Sequence, residues 1–165
     1  MFDKLNNPRE VFGHKLGSAL TMEQNVLKML GTLEGESQRD ELKQQFRHHA
    51  DETREQIANI EQAFREMGEK PDDSPCPAIK GLEADAKADI KMADDSVVDD
   101  VILAGAAATE HHEIAVYETL ITHAEELGEP NIVQLLQQNL EQEQHTLEEV
   151  TQAQRQIVHQ AVAAA

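Results

Sequence analysis

Two glutamates, Glu110 and Glu113, stand one turn apart in the stretch TEHHEIAVYETL, Thr109–Leu120, inside a run that is otherwise apolar on that face. A carboxylate facing a protein interior invites one of three fates: protonation, pairing with a cation, or coordination of a metal. Placing residues at ~100° intervals around a helix axis puts Glu113 at the centre of a stripe of Ile102, Ala106, Thr109, Val116, Leu120, Ala124 and Leu127, with Glu110 and Tyr117 together on one side. His111 points the opposite way and His112 lies on a flank.

Three other helix-forming runs repeat the pattern. Phe12, Leu16, Ala19, Leu20, Val26, Leu27 and Leu30 form a stripe centred on Glu23. Leu42, Phe46, Thr53, Ile57, Ile60, Phe64 and Met67 form another, with His49 inside it and Glu52 on its edge. Ile132, Leu136, Leu140, Leu147, Val150 and Ile157 form a fourth, centred on Glu143, with His145 and Glu141 sharing the outer face. A single such glutamate commonly snorkels to solvent, a single histidine is commonly a hydrogen-bonded core residue, and a single tyrosine commonly packs. Coincidence on four helices is what separates this sequence from those cases. No Lys or Arg falls on the inner faces, and an unpaired buried carboxylate costs several kcal/mol. Shared divalent cations resolve the conflict, two better than one, and oxygen donors with one imidazole suit iron or manganese more than zinc or copper. Thr53, Gln56 and Thr146 are candidates to hydrogen-bond the ligands from behind.

The elements that must position these residues read as long helices over about 8–33, 37–67, 97–127 and 132–162, in a single domain of 165 residues. Asn7 and Pro8 mark the first start, Gly31 and Gly35 the first end, Ser37 the next cap, Gly68 its end. Gly128 and Pro130 stop the third long helix and Asn131 caps the fourth. The crossover 68–96 opens with the turn-rich EKPDDSPCP and carries a short helix over Lys80–Met92. Two tightly joined pairs with one long crossover make an all-α, ferritin-like four-helix bundle.

Composition narrows the function. Aromatics are 3% and hydrophobic residues 39%, which fits aliphatic helices. A formal net charge of -18 excludes nucleic acid and anionic membrane surfaces as partners. No run is apolar enough to span a bilayer and no signal-peptide stretch stands at the start, so a cytoplasmic location is expected. Cys76 is the one cysteine, in the Pro-flanked SPCP, and reads as an incidental or structural thiol because no histidine partner is evident. No Ser/His/Asp arrangement or Gly-rich phosphate loop suggests a hydrolase.

The stretch Thr109–Leu120, the AEELG of Ala124–Gly128, the HADET of His49–Thr53 and the CPAIKGL of Cys76–Leu82 together resemble the YciF/YciE family of stress-associated bacterial proteins, which have a ferritin-like fold. The resemblance runs from Val11 to about Val150. It implies a di-iron or di-manganese centre with two metals per chain, homodimers, and Glu23, His49, Glu52, Glu110, Glu113 and Glu143 as ligands. The chain departs from the Glu-x-x-His usual in di-metal bundles: His49 precedes Glu52, and Thr146 stands three residues after Glu143. The expected function is an oxidoreductase or a protein that handles dioxygen or peroxide. Glu23 and His49 would be terminal, Glu52 and Glu143 bridging, Glu110 or Glu113 terminal on the second ion, with Tyr117 catalytic as a hydrogen-bond or electron donor. The alternatives are iron or manganese storage or detoxification without turnover, and a structural stress bundle that a metal merely stabilises.

Overall fold

The structure, a computed structural model, describes residues 4–164. Five helices follow one another: α1 (Pro8–Glu36), α2 (Asp40–Glu66), α3 (Pro77–Met92), α4 (Val98–Glu126) and α5 (Pro130–Ala164). Helices α1 and α2 pack as one pair and α4 and α5 as another, while α2 against α5 and α1 against α4 close the bundle. Helix α3 lies outside, against α4 and α1.

Contacts between helix ends give the directions. Arg9 at the start of α1 reaches Glu129 just past the end of α4 (3.0 Å) and the Met67 carbonyl just past the end of α2 (3.4 Å). The backbone N–H of Gln38 donates to Asp99 at the start of α4 (2.8 Å), and Arg39 reaches Gln160 near the end of α5 (2.9 Å). Neighbouring long helices are therefore antiparallel, and α2 and α4 run the same way. That order requires the crossover to climb the full height of the bundle. Helix α3 covers about 24 Å of it, at ~1.5 Å per residue.

Local chemistry explains most boundaries. The Asn7 side chain accepts from the Glu10 backbone N–H, and Pro8 opens α1. Gly68 and Gly128 take positive φ, 74° and 71°, and the residue after each donates back to close the helix end: Glu69 to Phe64 and Glu129 to Ala124. Other boundaries differ from the sequence reading. Helix α1 runs straight through Gly31 and Gly35, because the apolar face continues to Leu33 and outweighs two glycines. Ser37 does not cap α2; it turns back and donates to the Leu33 carbonyl (2.7 Å), finishing α1, and Arg39 takes the cap position of α2. Helix α3 starts three residues early, at Pro77, and α5 starts at Pro130, where proline needs no N–H partner.

The crossover is pinned where it passes α1. A Cβ on Gly17 would stand 2.7 Å from the Asp72 carbonyl and 3.0 Å from Ser74 Oγ, so only glycine lets the chain lie this close. Ser18 donates to the Pro75 carbonyl beside it (3.2 Å).

The inner seams alternate in steps of four and three residues. On α1 the seam is Phe12, Leu16, Ala19, Glu23, Val26, Leu30 and Leu33, all buried. On α2 it is Leu42, Phe46, His49, Thr53, Gln56 and Ile60; on α5 it is Ile132, Leu136, Asn139, Glu143, Thr146 and Val150. Each seam is apolar at its ends and polar in its middle. Two apolar layers therefore sandwich one buried polar layer.

Candidate metal centre

The polar layer brings together residues from all four long helices. His49, Glu110, Glu113 and Glu143 each offer a ligand atom, and these atoms lie within 4.8 Å of one another. His49 Nε2 stands 3.3 Å from Glu110 Oε1 and 4.0 Å from Glu143 Oε2. Glu113 and Glu143 are 0% exposed, and none of their four carboxyl oxygens has a hydrogen-bond partner. Glu23 Oε2 and Glu110 Oε2 are likewise buried and unpartnered. A buried polar atom without a partner costs about 1–3 kcal/mol, more if charged, so the unpartnered oxygens of Glu110, Glu113 and Glu143 beside His49 are a donor set lacking its acceptor. Hard oxygen donors with one imidazole fit iron or manganese. The cluster can hold a metal ion.

Electrostatics express the same frustration. Burial pushes the carboxyls of Glu113 and Glu143 well above their ordinary range, and neighbouring carboxylates push them further. Glu23 is raised by burial to about 7, although the Tyr117 hydroxyl and the charge of His49 oppose the rise. Burial alone would lower His49; the Glu110 charge and the close approach of Glu110 and Glu52 outweigh it and lift the imidazole to about 10. Metal-free, the layer survives by holding protons. Cation binding must displace them.

Glu23 sits beside this set, one oxygen taken by Tyr117. The Tyr117 hydroxyl donates to Glu23 Oε1 and accepts from Asn139 Nδ2 (3.1 Å). Asn139 Nδ2 also donates to the Gln56 carbonyl (3.2 Å), and its Oδ1 accepts from Asn59 (2.8 Å). A backbone carbonyl can only accept, which fixes the orientation of the Asn139 amide. The single proton of Tyr117 is then left for Glu23.

Glu52 stands apart. Its side chain is 18% exposed, 3.8 Å from His49 Nδ1 on one side and 3.5 Å from His48 Nε2 on the other, and the approach of His49 lowers its carboxyl. At those distances the contacts are ion-pair approaches rather than hydrogen bonds, and Glu52 lies at the rim of the polar layer. Among the supporting residues, Thr146 Oγ1 lies 3.4 Å from His49 Nδ1. Thr53 bonds its own helix instead, donating to the His49 carbonyl (2.9 Å), and the Gln56 amide has no partner. His111 is exposed. His145 pairs with Glu149 (3.5 Å), one turn on, and not with Glu141.

Two features escaped the sequence reading. Asn139 was hidden because Leu136 and Leu140 filled the stripe, yet it stands three residues after Leu136 and four before Glu143, where the seam falls. Cys76 is buried, and the influence of His112 brings its thiol down to about 7 against the opposing effect of burial. Cys76 stands just before α3 and His112 lies within α4, and no sequence spacing joins them.

An antiparallel bundle of four long helices with a buried carboxylate and imidazole layer at mid-height defines a class, the ferritin-like helical proteins with a site able to hold metal. Within it the chain belongs to the family described as Domain of unknown function (DUF892), whose model matches residues 7–163. The protein YciF of Escherichia coli (strain K12) is 34% identical over 139 residues, 83% of this chain and 84% of YciF. Two solved structures superpose closely. YcfI of Rhodopseudomonas palustris does so with a TM-score of 0.88 at 35% identity, covering 92% of this chain and 98% of that one. The E. coli stress protein YciF does so with a TM-score of 0.89 at 30% identity, covering 94% and 99%. Among the described residues no helix is long and apolar enough to cross a membrane.

Proposed function

We propose that the chain holds two iron or manganese ions and reacts with dioxygen or peroxide as part of a stress response. The observation that carries this reading is the set His49, Glu110, Glu113 and Glu143, one or more ligands from each of α2, α4 and α5, buried and short of partners. Glu23 from α1 and Glu52 at the rim complete six ligands. Five carboxylates and one imidazole balance two divalent cations far better than one.

Within this reading Glu113 and Glu143, on the neighbouring helices α4 and α5, would hold the ions with their four free oxygens. His49 and Glu110, 3.3 Å apart, would add an imidazole and a further carboxylate, with His49 braced by Thr146. Bound ions of this kind supply redox change and Lewis acidity. Tyr117, fully buried, keeps Glu23 in place and stands close enough to pass a proton to it. The opening toward solvent encloses only about 10 Å³. That is room for about one water, which favours an ion or a small oxidant over a bulky organic substrate by this route.

Metal analysis of the isolated protein tests the reading: about two iron or manganese ions per chain are expected for six such ligands. Anaerobic iron loading followed by oxygen should then produce an oxo-bridge absorption band. Zero metal, with no uptake of either ion, overturns the proposal. Bound metal with no oxidation chemistry removes its redox half and leaves a metal-binding bundle. The same reading takes a second copy of the chain as partner, which sedimentation measures.

A further inference from the structure

We propose that His48, Glu52, His145 and Glu149 form an outer cation station through which a divalent ion passes to the buried ligands. The inference rests on the metal-binding reading above and adds the route.

Of the five clustered carboxylates, Glu52 is the one that keeps contact with solvent; the side chains of Glu110 and Glu143 are 3% and 0% exposed. An incoming ion therefore meets Glu52 before the others. The surrounding opening is lined by His48, Glu52 and Glu149 outside, by Phe46, Thr146 and Val150 along its walls, and by His49 and Glu110 at its floor. Outer and inner donors thus share one space. Glu110 is 2% exposed with Oε2 unpartnered, so the floor presents a free buried donor to whatever enters.

The outer residues carry ligand chemistry in their own right. His48 Nε2 lies 3.5 Å from Glu52 Oε1, and His145 Nε2 lies 3.5 Å from Glu149 Oε1. Two separate His–Glu pairs at the rim offer imidazole and carboxylate donors of the kind that hold a first-row divalent ion in passing. Glu52 joins the two stations: it faces His48 outward and His49 inward, at 3.5 and 3.8 Å. The placement also follows from the fold. Helix α3 packs on α1 and α4, which leaves the α2–α5 seam uncovered. A net charge of -18 draws cations to the surface in general, and the cleft concentrates them at this point.

The experiment mixes metal-free protein with Co²⁺ alone in a stopped-flow spectrometer and measures equilibrium affinity by calorimetry. The variant is His48→Ala, His145→Ala, Glu149→Gln; all three positions lie outside the buried set, and circular dichroism checks the fold. A control, Glu118→Gln, removes one exposed charge on α4. Uptake should slow by about tenfold or more in the triple variant, as loss of local steering predicts, with the affinity at equilibrium kept within about twofold and the control unaffected. Unchanged uptake in a triple variant that still binds Co²⁺ overturns the route and leaves the buried site standing. Wild-type protein that binds no Co²⁺ overturns both. Equal slowing in the control also overturns the route, because net charge alone then explains it.

Discussion

Replacing Glu113 by leucine should raise the stability of the metal-free protein and abolish most of the stability that metal adds. Glu113 is 0% exposed and both carboxyl oxygens lack partners. Its proton is held by burial first, then by the charges of Glu23 and Glu110. Replacing a buried ionic group by an apolar one of similar volume is neutral or stabilising by about 1–4 kcal/mol. Imperfect fit of the branched side chain takes back up to about 1 kcal/mol. The substitution also relieves Glu143, for which Glu113 is the largest influence after burial. A net gain of up to about 3 kcal/mol follows, worth about 2–4 °C per kcal/mol in a chain of this length. Metal reverses the order. At a free concentration one hundred times Kd, wild type gains about 2.7 kcal/mol, and the variant, short of a central ligand, gains far less. Scanning calorimetry with chelator and then with excess Mn²⁺ should show the two melting temperatures cross. A variant about 2 kcal/mol less stable than wild type in chelator, or one with an undiminished response to Mn²⁺, refutes the reasoning that this carboxyl is tolerated for the sake of a cation.

Stability of the chelated protein should fall with rising pH. Glu23 holds its proton more tightly folded than unfolded, so its contribution is full below 4.5 and lost as pH climbs through about 7. His49 contributes below 6.5 and loses that contribution as pH rises through about 10; a melting temperature flat between about pH 5 and pH 9 in chelator contradicts both shifts. Tyr117→Phe removes the donor to Glu23 and should cost about 1–2 kcal/mol in urea unfolding, and Asn139→Leu, which strands Asn59 and the Gln56 carbonyl, about 1–3 kcal/mol. Gly17→Ala should destabilise by about 1–3 kcal/mol because its Cβ meets the Asp72 carbonyl, whereas helix propensity alone predicts a gain of about 1 kcal/mol.

Helical periodicity is a local property, and it carried most of what the sequence reveals. The 3.6-residue turn decides which residues face inward whatever the helix later packs against. Glu23, Glu113 and Glu143 could therefore be placed at the centres of their stripes, and each is buried. The shortness of the two tight turns and the length of the crossover made the ferritin-like order legible for the same reason: chain length limits reach. Asn139 was overshadowed by Leu140, because a branched apolar neighbour is the stronger signal until the seam is drawn in steps of four and three.

Depth and contact between helices were beyond that reasoning. Glu52 and Glu110 are both off-centre in their stripes, yet Glu110 is sealed at 2% exposure and Glu52 opens to solvent. The difference comes from the α2–α5 seam being left bare while α3 covers the other side. His112 comes to influence Cys76 only because α3 is laid along α4. The sequence by itself determined that four helices turn carboxylates inward. The register and packing of those helices decided which donors share one point, which of them meets solvent first, and that Asn139 orients Tyr117 toward Glu23, since these depend on distances between chain segments that no local period encodes.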